Sequence, residues 1–290
     1  MRVCCAGEVM IEMAALGQDN LYQRGVAGDS YNTAVYLARK GLQVDYLTRL
    51  GDDLDSGDIL DRLANEGVGT TFVARIPKSQ PGLYLISNDS IGERQFSYWR
   101  NQAPVRGLFD SPLKLPPLDA FYFTGITLAV TRSGAQGLRD LLHGLREQNC
   151  RIIFDPNFRP GLWDSLEQAQ RHYRDIIPLC DLALPTLDDE NLLWKIDSIE
   201  QCRDLYLQQG ISELVVKGGD LTAHVFHKDE YIQRQARPVS AVDTTGAGDS
   251  FNAGYLASRL KGESIEESLF NAQELAAAVV QHRGAILPRN

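Results

Sequence analysis

Residues 242–255 read Val242-Asp243-Thr244-Thr245-Gly246-Ala247-Gly248-Asp249-Ser250-Phe251-Asn252-Ala253-Gly254-Tyr255. The window follows an extended stretch, Pro238–Val242, and opens a helical pattern that runs toward Leu260, so its glycines fall at a helix N-terminus. Backbone N–H groups there have no intrahelical partners, and the aligned peptide dipoles favour negative charge. Gly246 and Gly248 would let the backbone close around a phosphate oxygen, although Gly-x-Gly alone equally makes a tight turn with a helix cap. Asp249 narrows the choice. A carboxylate beside a phosphate site costs Coulomb energy unless it has a task, and taking the proton from an attacking hydroxyl is one. A helix-capping aspartate is the plainer alternative. A Walker A loop needs Gly-Lys-Ser/Thr, and the chain has no Gly-Lys dipeptide. A dinucleotide fingerprint belongs in the first βα unit and needs a third glycine where Phe251 stands.

Upstream of this window, short apolar runs alternate with helix-period segments, the pattern of parallel strands covered by helices. The strands expected are Val3–Ala6, Val44–Leu50, Ala120–Phe123, Ile152–Phe154, Leu182–Leu184 and Leu214–Val216. Helices are expected over Ser30–Lys40, Ser56–Glu66, Ser133–Gln148 and Leu166–Ile177, with Gly41 and Gly67 closing the first two. One stretch breaks the alternation: between Gly82 and Arg100, Leu83–Ile86 and Gln95–Arg100 are strand-like runs around the turn-rich Asn88–Gly92. This β excursion is either a lid over a ligand site or a plain surface hairpin.

The chain has 290 residues, with 29 Lys+Arg against 38 Asp+Glu and a net charge of −9. That balance speaks against a nucleic-acid or anionic-membrane surface, yet allows one locally positive pocket. Glu8 and Glu12 interrupt the apolar N-terminus before a membrane span or leader could form, so it reads as a buried first strand. Five cysteines without a CxxC pair read as reduced core cysteines of a cytoplasmic protein. His224 and His227 are discounted as a metal pair, because residues three apart in a strand face opposite ways. Glu190–Trp194 and Glu263–Glu267 read as solvated helix faces.

The window Asp243–Gly254 resembles the C-terminal motif of the ribokinase-like (PfkB) carbohydrate kinases. Ala27-Gly28-Asp29-Ser30-Tyr31-Asn32-Thr33-Ala34 is similar to that family's N-terminal substrate element, and Gly51-Asp52-Asp53 with Gly57 to its next segment. The resemblance spans essentially the whole chain. It implies a single α/β domain over residues 1–290: a doubly wound, mostly parallel sheet flanked by helices, with β-lid excursions near 12–27 and 75–102. It also implies Asp249 as general base and an anion hole from Gly246, Ala247 and Gly248. Gly28, Asp29 and Asn32 would hold sugar hydroxyls, with a helix N-cap as the alternative role. Val215–Asp220 resembles the nucleotide-side strand and loop, which assigns Lys217 and Gly219 to the cofactor, although Thr222 replaces the motif's second glycine. Where the family shows Asn-x-x-Glu near the metal, this chain has Thr186 and Asp189 with Glu190 adjacent, so Asp189 is the Mg²⁺ ligand this likeness offers, and which acid serves the metal stays open. Asn271, on a helix of small residues, is expected beside the adenine of ATP.

Two further segments resemble the 2-keto-3-deoxygluconate kinases within the family: Phe96-Ser97-Tyr98-Trp99-Arg100 and Phe154–Trp163. Each offers an arginine, and a guanidinium fork matches a carboxylate. By this likeness Arg100 and Arg159 would recognise a sugar acid, Tyr84 and Tyr98 its chain, and Asn157 and Arg159 the nucleotide phosphates. The implied reaction is ATP- and Mg²⁺-dependent phosphorylation of the terminal 6-hydroxyl. A fructokinase-like enzyme for neutral sugars, or a non-catalytic sugar-binding regulator, are the alternatives. A monovalent cation, and a homo-oligomer paired through the apolar hairpin, stay open.

Overall fold

A computed structural model of the chain describes residues 1–16, 21–88 and 94–289. Part of the first expected excursion, residues 17–20, and residues 89–93, where most of the expected turn-rich loop falls, lie outside the described residues. The first half runs β1 (Arg2–Ala6), β2 (Met10–Ala15), β3 (Tyr22–Ala27), α1 (Asp29–Arg39), β4 (Gln43–Leu50), α2 (Leu54–Asn65), β5 (Val68–Gly69), β6 (Val73–Arg75), β7 (Gly82–Asn88) and β8 (Arg94–Trp99). Then come β9 (Ala120–Thr124), α3 (Gly125–Val130), α4 (Ala135–Glu147), β10 (Arg151–Asp155), α5 (Leu166–Ile176), β11 (Leu182–Ala183), α6 (Leu187–Trp194) and α7 (Ile199–Leu207). The chain ends with β12 (Glu213–Lys217), β13 (Thr222–His227), β14 (Glu230–Gln235), α8 (Ala247–Leu260) and α9 (Ile265–Val280).

The main sheet has the order β14-β13-β12-β11-β10-β9-β1-β4-β5, with β6 also paired to β4. Every pair from β12 to β5 is parallel, and β13 and β14 extend one edge antiparallel. Its central strands are apolar at almost every position because both faces are covered. Alternation then sorts the side chains. Cys4, Phe121, Phe123, Ile152, Phe154 and Leu214 pack with α4 and α5, while Val3, Cys5, Tyr122, Ile153 and Val215 pack with α1, α8 and α9. All five cysteines are buried and unbonded.

A second sheet, β3-β2-β7-β8, joins the excursion after β1 to the one after β6 through the parallel pair β2–β7. Its own apolar cluster is small: Met10, Ala27, Tyr84 and Ile86. On β8, Phe96, Tyr98 and Trp99 are exposed.

Glu190 departs from the solvated face expected for it. Consecutive helical residues are about 100° apart, so the run Asp188-Asp189-Glu190 at the start of α6 cannot all face outward. Asp188 and Asp189 line the pocket described below, and Glu190 is fully buried under the Tyr206 hydroxyl, which donates to it at 3.0 Å. Burial pushes its carboxyl up to about 8. His224 and His227 bond separately, to Tyr231 and to the Ser212 carbonyl.

Candidate active site

A cavity of about 610 Å³ opens at the C-terminal edge of the parallel strands, beneath the small sheet. Ligands collect at this edge in open α/β folds because the loops between strands and helices diverge there. The start of α1 forms one wall. A Cβ on Gly28 would lie 2.3 Å from the Glu8 carbonyl oxygen, so only glycine lets α1 begin this close to the end of β1. Asp29 follows in the first turn and accepts from the Ser30 N–H (2.8 Å) and from the Asn157 amide (2.9 Å). Gly28, not Asp29, occupies the N-cap.

The start of α8 forms the opposite wall. Gly246 caps it at φ 76, and a Cβ there would sit 2.7 Å from that of Ala285, so conformation and space both require glycine. Among the end donors, the Ala247 N–H bonds the Thr244 carbonyl at 3.2 Å. The N–H groups of Gly246, Gly248 and Asp249 have no such bond among the described residues and are the ones open to an anion. Of the three residues expected in the anion hole, Ala247 thus has its donor already engaged.

Asn32 on α1 donates to Asp249 Oδ2 at 2.8 Å, joining the two motifs across 217 residues of sequence. Beneath them, Asn252 donates to Asp155 Oδ2 at 2.7 Å, and its carbonyl accepts from Lys217 Nζ at 3.0 Å. Lys217 also lies 3.7 Å from Asp155. Burial raises Asp249 well above the usual carboxylate range and the charge of Asp29 adds to it, against the Asn32 bond and Lys217. Such a group holds a proton near neutrality more readily than a surface aspartate, which suits it to take one from a weakly acidic hydroxyl.

Tyr84, Phe96 and Tyr98 of the small sheet roof the cavity, with the Tyr84 and Tyr98 ring centroids 5.7 Å apart. Arg100, just past β8, is buried rather than solvated. Its guanidinium lies 5.4 Å from the Tyr98 ring and donates through Nη2 to Glu8, a carboxylate that in the sequence alone only interrupts the apolar N-terminus. Burial raises the Glu8 carboxyl, opposed by Arg100. Glu8 Oε1 and Arg100 Nε have no partners among the described residues. Arg159 is half exposed and donates to both Asp189 oxygens at 3.1 Å. The carboxylate expected to hold a metal is therefore tied to an arginine, while Asp188 beside it has no bond or ion pair among the described residues. No cluster of three potential metal ligands occurs among those residues.

A second, mostly apolar cleft of about 350 Å³ shares Thr186, Lys217, Thr244, Ala247 and Gly248 with the first. Leu221, Val239, Phe251, Gln273, Ala276, Ala277 and Val280 line it. Two residues expected at the cofactor, Asn271 and Gly219, do not line it. Asn271 is absent from the cleft: its amide donates to Ser258 (2.9 Å) and Glu263 (3.2 Å), locking α9 to α8. Residue 273 lies about 200° further round the helix and is the one that reaches the cleft. Gly218 rather than Gly219 lines the cleft, and a Cβ on Gly219 would instead face Asp188 at 3.7 Å.

The model of the pfkB family carbohydrate kinases matches residues 1–290. The chain belongs to the pfkB family. It is 38% identical over 303 residues to the 2-dehydro-3-deoxygluconokinase of Escherichia coli K12, covering 99% of this chain and 97% of that protein. The enzyme of the same name from Dickeya dadantii is 37% identical over 301 residues, covering 99% and 96%. In fold, it superposes with a TM-score of 0.85 at 22% identity on the aminoimidazole riboside kinase of Salmonella enterica, complexed with aminoimidazole riboside and an ATP analogue, over 98% and 95% of the two chains. This pfkB member is therefore a carbohydrate kinase. No helix among its described residues is long and apolar enough to cross a membrane.

Of the residues singled out in the sequence, Gly28, Asp29, Asn32, Tyr84, Tyr98, Arg100, Asn157, Arg159, Asp189, Lys217 and Gly246–Asp249 all line the one cavity. Glu8, Asp155 and Asp188 line it too and were missed, although all three sit at or just beyond points where strands of the parallel sheet end, the place to look for them.

Proposed function

We propose that this kinase transfers the γ-phosphoryl group of ATP to the terminal 6-hydroxyl of 2-keto-3-deoxygluconate, giving 2-keto-3-deoxy-6-phosphogluconate. The observation that carries the reading is one cavity that has Asp249 at the α8 pole and Arg100 under the roof. A sugar acid can span these groups with its hydroxyl at one and its carboxylate at the other. The relatives named for that activity support it. Asp249 takes the hydroxyl proton as the oxygen–phosphorus bond forms. The bond from the γ-phosphorus to its bridging oxygen breaks, and ADP leaves with the electron pair. Gly246, Gly248 and Asp249 N–H groups receive the charge that spreads over the transferring oxygens. Lys217 balances the phosphates from the β12 side. Asp29 and Asn32 orient the sugar hydroxyls, Tyr84 and Tyr98 cover its chain, and the apolar cleft takes the base. Mg²⁺ would neutralise the phosphates, for which Asp188 and Asp155 offer oxygens at the cavity wall and Asp189 becomes available only if Arg159 turns to a ligand.

One observation favours a second reading. Glu8 already neutralises Arg100, which leaves the roof net neutral and compatible with a neutral sugar such as fructose. ADP release measured over a panel of sugars separates the two. The expected result is kcat/KM at least about tenfold higher for the keto-deoxy acid, with Arg100→Ala raising its KM about 10- to 100-fold. Turnover on fructose or ribose well above that on the acid rejects the substrate assignment.

A further inference from the structure

We infer that a sugar acid bound in the cavity takes the place of Glu8 as counter-ion of Arg100, and that Glu8 gains a proton as the acid binds; the inference rests on the substrate reading proposed above. Glu8 is 2% exposed and Arg100 8%, and both line the cavity under its roof. A guanidinium keeps its charge throughout the physiological range, and burying one without a partner is costly. Here the chain supplies the partner, since Arg100 Nη2 donates to Glu8 Oε2. Nε is sealed from solvent with no partner, whereas Nη1 is neither bonded nor sealed among the described residues. Nη1 is therefore the donor left for a ligand, beside the Tyr98 ring that the guanidinium covers.

Two carboxylates on one guanidinium repel each other, and burial sharpens the repulsion. The cheaper arrangement keeps the net charge of the empty cluster: Arg100 positive, the ligand negative and Glu8 neutral. Burial already raises the Glu8 carboxyl from the ordinary 4.5 and Arg100 opposes it, while Asp29 at the start of α1 and Arg106 act against each other on a smaller scale. The remaining titratable groups that face Glu8 are phenols raised by burial, Tyr98 of β8 and Tyr46 of β4, the second donating to the Glu8 carbonyl at 3.1 Å. Gly82, at the start of β7, brings no charge. A carboxylate on Nη1 draws on the attraction that held Glu8 ionised and adds a negative charge, so both changes push a proton from solvent onto Glu8. A neutral sugar does neither and leaves the pair intact. The complex with the acid thus holds one proton more than its separate parts, so binding weakens as pH rises between the free and bound values of Glu8. A 2-keto acid is itself ionised throughout that window.

The test is calorimetric titration of the full chain with 2-keto-3-deoxygluconate, without ATP, in buffers of low and high ionisation heat between about pH 5.5 and 8.5. The difference in heat between buffers counts protons. The unaltered protein should take up about 0.5 to 1 proton per acid bound, with Kd rising about tenfold across the range, and should bind fructose with no uptake. Glu8→Gln keeps the shape without the charge. It should bind the acid about tenfold more tightly than the unaltered protein at about pH 8, with no uptake and a flat pH profile. Asp249 is another buried acid of the cavity, so Asp249→Asn is the control, in which uptake should persist. Binding of the acid without uptake by the unaltered protein anywhere in the range overturns the inference, and needs no variant to do so. So does uptake that survives in Glu8→Gln or disappears in Asp249→Asn. An acid that fails to bind where fructose binds overturns the substrate reading, and this inference with it.

Discussion

Glu213 and Asp249 are carboxylates at opposite poles of one sheet, and their surroundings push their proton affinities in opposite directions. Strands β10 and β12 each begin with a residue of one cluster and end with a residue of the other, about 13 Å away. Arg151 and Glu213 pair at 2.9 Å where the strands begin, and Asp155 and Lys217 lie 3.7 Å apart where they end. Helix α8 spans both, with Asp249 and Asn252 at one pole and Tyr255 and Arg259 at the other. Burial acts upward on Glu213, but Arg259, Arg151 and the Tyr255 hydroxyl outweigh it and hold the group down at about 2. At Asp249 burial acts with the negative charge of Asp29, and one amide and one lysine do not offset them. The difference lies in what the chain supplies around each acid. At the strand starts it completes the charge balance and gains rigidity; at the strand ends it leaves the balance open for a substrate.

The largest expected effect breaks the comparison at the end proposed to be catalytic. Asp249→Asn should lower kcat by about 10³-fold. Its stability should move the other way. An acid whose folded value lies above its ordinary 3.8 is harder to ionise in the folded chain, so above that pH ionisation favours unfolding, and removing the charge stabilises by about 1 kcal/mol at pH 7. Glu213→Gln is the mirror experiment. It should cost about 3 kcal/mol in urea unfolding at pH 7 while changing the kcat of the folded enzyme less than about twofold. Glu213 contributes stability above its ordinary 4.5 and loses it as pH falls toward 2, so the difference between parent and variant should shrink in that window. Unfolding midpoints that shift in the same direction for both variants would remove the contrast. The smallest effect sharpens it. On the proposed mechanism the base is ionised Asp249, so kcat/KM should rise with pH, and Lys217→Met should move that limb upward by about one pH unit. An unmoved limb would mean that Lys217 acts on the phosphates alone.

The pole that carries Asp249 was readable because its residues come in runs. Ala27–Ala34 and Asp243–Gly254 carry glycines, polar groups and a carboxylate at fixed spacing, and each run is held by one helix start. The strands of the parallel sheet were equally plain, since burial on both faces leaves unbroken apolar stretches. The structural pole left no trace. Glu213 is one acid ahead of a strand, and its meaning comes from Arg151, Tyr255 and Arg259, at least 42 residues away. Glu8 acquires its role from Arg100 in the same way, 92 residues on. On α9 the family resemblance singled out Asn271, but the face turned to the cleft is set by packing on α8, which places Gln273 rather than Asn271 there.

The roof of the cavity has a consequence of its own. The small sheet buries little apolar surface, and the outer strand β8 is exposed along Gln95–Trp99, whereas β1, β9 and β10 are sealed between two layers of helices. Opening free energies follow such differences, from near zero at lightly packed edges to the global value in the core. Amide hydrogens of β3 and β8 should therefore exchange with solvent by local opening, and those of β1 and β9 only when the whole domain unfolds. The ceiling of the cavity can then melt while the floor that holds Asp249 stays folded.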